Sequence, residues 1–317
     1  MEEELHETDG LAFGQRHLDP EPNPVNDLDQ LDAKDFRRVR AIADEPAEEP
    51  EAAASLDLER AYHALAEHRP GCVVVESITN PMLRVTPLDS VVEAARRHGA
   101  LVVVDSTFAT PLLVRPLKIG VDFVIHSLTK YLGGHGDVLG GVIVAREEFR
   151  PALQSISRTV GGVLGPFEAY LAMRGIKTFP LRMARQCASA CRVAAWLASH
   201  PRIERVIFPG DPNHPDAAVA RRLFPPGLYG AMVSFEVKGA GKEEIFRLVD
   251  ALRMIVPATS LGDVHSMILY PPMSSHRDLA PKHRQRMGIG DSFLRLSVGI
   301  EAPEDIIEDL QQALERP

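Results

Sequence analysis

The stretch Val121-Asp122-Phe123-Val124-Ile125-His126-Ser127-Leu128-Thr129-Lys130-Tyr131-Leu132-Gly133-Gly134-His135 decides how this chain is read. Its first half, Val121 to His126, is a short run dominated by β-branched and aromatic residues, which predicts a buried strand. Its second half turns polar at once, presenting Ser127, Thr129 and Lys130 before a glycine pair. In open α/β sheets, reactive groups gather where strands end and loops leave the core. A lysine flanked by hydroxyls at a strand end therefore draws the eye to its neighbours.

Two similar strands precede it. Cys72-Val73-Val74-Val75-Glu76 runs into Ser77-Ile78-Thr79-Asn80-Pro81, and Leu101-Val102-Val103-Val104-Asp105 runs into Ser106-Thr107. Helices are expected over Leu58–Glu67 and Leu88–His98, and a fourth strand within Val138–Ala145. Apolar strands alternating with helices predict an α/β fold with a mostly parallel sheet covered on both faces. Further on, a helix is expected over Pro180–Ser199 and strands at Ile203–Phe208, Ala231–Val237 and Phe293–Val298. Helices over Lys242–Leu252 and Pro303–Leu314 complete a smaller α+β unit. The expected organisation is an acidic segment over 1–56, a partial large domain over 57–194 and a C-terminal domain over 195–317.

The first segment stands apart in composition. Residues 1–60 hold 18 Asp and Glu against 6 Lys and Arg, whereas the whole chain holds 44 against 35. Runs such as Asp19-Pro20-Glu21-Pro22-Asn23-Pro24 have few apolar groups with which to offset the entropy of ordering, so disorder is expected there. A short helix over Leu31–Ile42 is the one element expected in it. The rest of the chain is near neutral with no basic stripe, which argues against nucleic-acid binding. No apolar run approaches the roughly 20 residues of a membrane span. The opening Met1-Glu2-Glu3-Glu4 is not followed by the pattern of a secretory signal. With three cysteines and no disulfide framework, a cytoplasmic setting is expected.

Read together, the strand ends meet the demands of pyridoxal-phosphate chemistry. Lys130 offers an amine to bond the cofactor and move protons. Asp105 offers a carboxylate to keep the pyridine nitrogen protonated, so that the ring accepts electrons. Ser127 and Thr129 offer hydroxyls to the phosphate, and Arg295 offers a fork for a substrate carboxylate. Each residue has a plainer reading: Asp105 as a helix cap, Lys130 as a surface lysine, Arg295 as half of a salt bridge. His126 and His135 lack a third ligand at sensible spacing, so they read as structural histidines and no metal site is expected. Cys187 and Cys191 share one helix face and read as a packing contact. Gly133-Gly134 reads as a place of close backbone approach, since no dinucleotide fingerprint follows a strand here.

The sequence resembles the Cys/Met-metabolism family of fold-type-I pyridoxal-phosphate enzymes, which includes cystathionine γ-synthase, cystathionine γ-lyase, methionine γ-lyase and homoserine-ester sulfhydrylases. The resemblance rests on Glu76 to Pro81, Val104 to Pro111, His126 to His135, Leu164 to Phe167, Arg174 to Met183, Ser260 to Asp263 and Arg295 to Glu301, in collinear order. It implies that Lys130 is the Schiff-base lysine and proton shuttle and that Asp105 pairs with the pyridinium. It also implies that Ser127 and Thr129 hold the phosphate and that Thr107 is among the cofactor-binding residues. Asn80 would lie near the cofactor and the substrate carboxylate, Arg295 would bind that carboxylate, and Ser260 would orient the lysine. The implied chemistry is loss or replacement of a group at the γ-carbon of a small amino acid, after proton removal at the α- and β-carbons. A homodimer or homotetramer is implied as well.

Two departures from the family pattern bear on function. Residues 1–56 contain neither the family's Ser-Gly-Met phosphate loop nor its ring-stacking tyrosine nor its Tyr-x-Arg element. A partner chain supplying those elements is therefore expected as an option, as is a truncated, impaired homologue that serves as a partner subunit. His265 stands where cystathionine-using relatives usually carry glutamate, which makes it a candidate substrate residue. Together with Gly262-Asp263, it keeps an O-acylhomoserine sulfhydrylase open beside the lyase and γ-replacement readings.

Overall fold

The computed structural model describes residues 63 and 65–316. The acidic segment and the expected Leu31–Ile42 helix lie outside the described residues. Of the helix expected over Leu58–Glu67, residues 63 and 65–67 are described and helical.

The first sheet takes the order β1-β2-β3-β4. Its strands are β1 (Cys72–Glu76), β2 (Leu101–Asp105), β3 (Phe123–Ser127) and β4 (Gly141–Ala145). β1, β2 and β3 run parallel, and β4 returns antiparallel to β3. Between β1 and β2, helix α1 (Leu88–Arg97) buries Leu88, Val91, Val92, Ala94 and Ala95 on one stripe. That stripe shares a core with Val102, Val104 and Val124. Burying each Leu or Val of this kind contributes about 1.5–3 kcal/mol. A short helix α2 (Thr110–Leu113) follows β2.

The sequence led us to expect both faces of this sheet to be covered. Among the described residues, one face is. Val102, Val104 and Val124 are buried on it, whereas Val74 and Ile143 on the other face are each 53% exposed. The cause lies in where the helices fall, because α1 and the long helix α4 both pack onto the core shared with Val102 and Val124.

Helix α3 (Arg150–Val160) and then α4 (Pro166–Ser199) follow β4. α4 starts well before the expected Pro180, which sits inside it. Gly165 and Pro166 make its true start, since proline is well suited to the first helical turn, where its missing N–H goes unused. The turns before Pro180 are amphipathic in a way that windowed reading obscured, with Phe167, Tyr170 and Met173 exposed and Ala172 and Gly175 buried.

Beyond α4 lies a five-stranded sheet of order β5-β6-β9-β8-β7. It comprises β5 (Ile203–Ile207), β6 (Met232–Val237), β7 (Val256–Pro257), β8 (Met267–Leu269) and β9 (Phe293–Ser297). Helices α5 (Ala217–Leu223), α6 (Lys242–Ala251), α7 (Pro281–Arg286) and α8 (Pro303–Leu314) intersperse these strands. β9 is central and buried along its whole length. A second apolar core gathers here around Val233, Phe235, Leu294 and Leu296, with Ala190, Val193 and Leu197 of α4 reaching into it. Because α4 also lends Phe179, Met183 and Cys187 to the first core, one rigid helix serves both sheets.

Candidate active site

β3 delivers Lys130 by a wide π turn, Leu128–Leu132, in which Lys130 leaves helical geometry at φ −98° and ψ −135°. Turns of this kind recur at functional sites because they re-aim one side chain within an otherwise regular segment. Lys130 Nζ donates to Ser260 Oγ at 3.0 Å. Burial, and after it the Arg295 charge, holds the Lys130 amine below the usual lysine range. A lowered proton affinity is what a lysine acting as a proton shuttle needs.

Arg295 projects from the middle of β9 and is 2% exposed. Its Nη1 donates to Asn80 Oδ1 at 2.7 Å and its Nη2 to the Ser260 carbonyl at 3.3 Å. Its Nε is buried with no partner among the described residues. Burial lowers its pKa to about 10, with the Tyr131 side chain acting in the opposite sense. A guanidinium sunk this deep, with a free donor, suits a carboxylate ligand.

Asn80 follows β1 and precedes Pro81 through a cis peptide bond. Its own N–H donates to Glu76 Oε2 at 3.0 Å. Burial raises the Glu76 carboxyl, the Asn80 N–H lowers it and the nearby Asp105 charge raises it further. Asp105 ends β2 beside Glu76 in register. Its Oδ1 accepts from the Thr107 N–H at 2.9 Å, and the carboxylate makes no other hydrogen bond among the described residues. Thr107 Oγ1 accepts from the Ser127 N–H at 2.9 Å, tying the β2 and β3 ends together. The Ser127 hydroxyl makes no hydrogen bond among the described residues. Thr129 is more committed, because its hydroxyl donates to the Gly140 carbonyl and accepts from the Gly140 N–H at 3.1 Å.

The structure thus joins Lys130, Ser260, Arg295 and Asn80 in one chain of contacts, and places Asp105, Thr107 and Ser127 at adjoining strand ends. His265 falls outside this chain. Its side chain is 69% exposed and its Nδ1 lies 3.6 Å from Asp263 Oδ1. The histidines read as structural are satisfied locally: His126 Nδ1 meets the Ser106 carbonyl at 3.1 Å, and His135 Nδ1 meets that of Gly133 at 2.8 Å.

Sequence reasoning passed over several supporting groups. Glu76 was read as a strand end, although it orients Asn80. His276 lies close enough to Arg295 and Arg284 for burial and then those charges to hold its imidazole low. Arg182 is 6% exposed and donates to the carbonyls of Tyr131, Leu132 and Gly133. An arginine in the interior of a long helix stretch was the available signal. The glycine pair does mark close approach, but against α4: a Cβ on Gly175 would stand 2.3 Å from the Gly133 oxygen.

Residues 51–315 match the family described as Cys/Met metabolism PLP-dependent enzyme. The chain belongs to that family. It is 42% identical over 247 residues to an L-methionine γ-lyase of Fusobacterium nucleatum, an alignment that takes in 77% of this chain and 62% of the relative. It is 41% identical to an O-succinylhomoserine sulfhydrylase of Pseudomonas aeruginosa, over 80% of this chain and 62% of the relative. Among solved structures, a cystathionine γ-synthase of Xanthomonas oryzae pv. oryzae superposes with a TM-score of 0.77 at 41% identity, covering 80% of this chain and 65% of that one. The chain therefore spans less than two thirds of the length of these relatives. The alternative of a catalytically impaired partner subunit gains no support from them, since each is named for an enzyme.

The family's cofactor is pyridoxal phosphate, and the residues present fit it on the lysine, ring and carboxylate sides. An amine of lowered proton affinity, a carboxylate with an unengaged oxygen, a free hydroxyl and an orphaned buried guanidinium N–H form the donor set such a group requires.

Proposed function

We propose that this chain carries the lysine-bearing part of a pyridoxal-phosphate site, in a trans-sulfuration enzyme acting as a carbon–sulfur lyase or γ-replacement transferase. The reading rests on one observation above the rest: Lys130, Ser260, Arg295 and Asn80, drawn from both sheets, meet within hydrogen-bond distance. Bound pyridoxal phosphate supplies an electron sink that makes a proton beside an amino group removable. In this reading Asp105 holds the proton on the ring nitrogen, while Ser127, Thr129 and Thr107 take the phosphate. Arg295 clamps the substrate carboxylate with Asn80 fixing the plane of its fork, and Lys130 removes and returns protons at successive carbons. Ser260 holds the lysine amine between those transfers.

Substrates of this class are cystathionine, homocysteine or methionine-type amino acids. O-acylhomoserine sulfhydrylation is the second reading, favoured by the solvent-facing His265 imidazole, which stands where cystathionine-using relatives usually carry glutamate. We further propose a division at residues 194/195, supported by the two cores that α4 bridges. A homodimer or homotetramer, or a partner chain that completes the site, is supported by the open sheet face bearing Val74 and Ile143. A cytoplasmic setting is supported by three free thiols, Cys72, Cys187 and Cys191. Among the described residues, no helix is long and apolar enough to cross a membrane.

The test is to add pyridoxal phosphate to the purified protein and record the visible absorption band, with Lys130→Ala as control. A band in the wild type that the variant lacks supports the reading, and a screen of cystathionine, homocysteine, methionine and acylhomoserines then separates the substrates. Two folded, colourless proteins would overturn it.

A further inference from the structure

Two side chains of α4 reach toward the site from behind without entering it. Arg182 and Gln186 stand four residues apart on the helix and so share one face. Arg182 spans the turn that carries Lys130. Its Nη1 donates to the Tyr131 carbonyl at 2.9 Å, and its Nη2 reaches those of Leu132 and Gly133 at 3.3 Å and of Gly175 at 2.9 Å. Thr178 Oγ1 accepts from its Nε at 3.0 Å and fixes the plane of the fork. The turn is shaped around this guanidinium: Gly134 has φ +71°, and a Cβ there would stand 1.8 Å from Arg182 Nη1.

Gln186 is fully buried and holds the other loop. Its Nε2 donates to the Asp263 carbonyl at 2.7 Å, three residues beyond Ser260. Its Oε1 has no partner among the described residues, so nothing but the Asp263 contact accounts for burying an amide there. The two loops are also joined directly, because the Val264 N–H donates to the Gly134 carbonyl at 3.1 Å. A long side chain such as lysine has several rotatable bonds, so a fixed meeting of its amine with Ser260 requires both backbones to be held.

We propose that Arg182 and Gln186 are positioning residues that clamp the lysine turn and the Ser260 loop to one helix, and so set the meeting of Lys130 with Ser260. The clamp rests on the reading of Lys130 as the site's working amine. Removing either half lets the two loops separate and water reach the amine. Its proton affinity then rises toward that of an exposed lysine, and the backbone of both loops opens together.

The experiment uses the full chain without cofactor. Competitive acetylation across pH titrates Lys130 against Lys177, an exposed lysine on the same helix, in the wild type and in Gln186→Met, which keeps side-chain length and loses the amide. Hydrogen exchange is followed in parallel on peptides spanning 130–134 and 261–264, with α6 as reference. The expected result is a Lys130 midpoint below that of Lys177 in the wild type, moved upward in the variant. Both loop peptides should exchange about tenfold faster, the scale of one lost buried hydrogen bond, with α6 unchanged. If Lys130 titrates low in both proteins alike, the clamp is overturned and the lysine assignment stands. If wild-type Lys130 titrates with Lys177, both fall. Should Gln186→Met fail to fold, Arg182→Lys carries the same test, since a point charge cannot serve the carbonyls that the fork spans.

Discussion

Lys130 Nζ and Ser260 Oγ lie 3.0 Å apart although 130 residues separate them in the chain. The contact joins the end of the parallel sheet to a loop of the antiparallel one. It also bears on proton affinity, because a hydroxyl that accepts from an ammonium favours the charged form. Ser260→Ala should therefore lower the proton affinity of the Lys130 amine beyond what burial and Arg295 already do. A hydrogen bond worth about 1 kcal/mol corresponds to roughly a fivefold fall in the ratio of protonated to neutral amine. Titration of Lys130 by competitive labelling checks this, and a midpoint that stays put or rises would show that the contact is not kept in solution.

Arg295 tests the substrate side. Arg295→Lys keeps a positive charge but loses the fork that reaches Asn80 Oδ1 and the Ser260 carbonyl at once. The expected outcome is a rise in KM of at least about tenfold with a smaller change in kcat, as for loss of bidentate ground-state binding. Steady-state kinetics on whichever amino acid proves active decides it. A fall in kcat with KM unchanged would remove Arg295 from carboxylate binding.

Much of this was legible in the sequence, for a physical reason. Cys72–Glu76 and Leu101–Asp105 are strands whose apolar runs end on polar residues, so local composition alone placed Asn80, Asp105 and Lys130 at strand ends. What local pattern does not carry is the return path. That Arg295 reaches Asn80, or that Arg84 grips Asp216, depends on how two sheets pack across α4. The start of α4 was missed because Pro180 reads as a helix boundary, while burial on both sides of it keeps the helix whole. Position in a motif likewise does not say which way a loop side chain faces, and that of His265 is 69% exposed.

Gly262 packs against the backbone of the lysine turn. At φ +79° it occupies the left-handed region that favours glycine, and a Cβ would stand 2.6 Å from the Tyr131 nitrogen. Its own N–H donates to Ser297 Oγ at 2.9 Å, so the loop has little room to retreat. Gly262→Ala should cost about 2–4 kcal/mol of stability from the strained φ and the clash together. It should also weaken the visible band formed with pyridoxal phosphate by displacing Ser260. Chemical denaturation and cofactor titration are the measurements, and a variant within about 0.5 kcal/mol of wild type would mean that the loops are not in contact there.

Asp216 ties the segment after Asn80 to the loop before α5. Its carboxylate accepts from Arg84 Nε at 2.6 Å and Nη2 at 2.7 Å and from the Val85 N–H at 2.9 Å. Burial alone would raise this carboxyl, but the Arg84 hydrogen bonds, the Val85 N–H and the Arg84 charge together outweigh it and hold it below the usual range. The sign follows from that depression. A carboxyl whose folded pKa lies below its unfolded value contributes stability that is present above about pH 4 and is lost as pH falls through the folded pKa. Asp216→Asn should therefore cost about 3 kcal/mol at neutral pH, since it leaves Arg84 with its side chain 13% exposed and uncompensated. The gap to wild type should then narrow in acid, because the wild-type carboxylate is neutralised there as well. Urea unfolding of both proteins at neutral and acid pH measures that gap. A difference that stays constant with pH would mean that the charge of Asp216 plays no part, and that the pair holds Arg84 and the neighbouring Asn80 by shape alone.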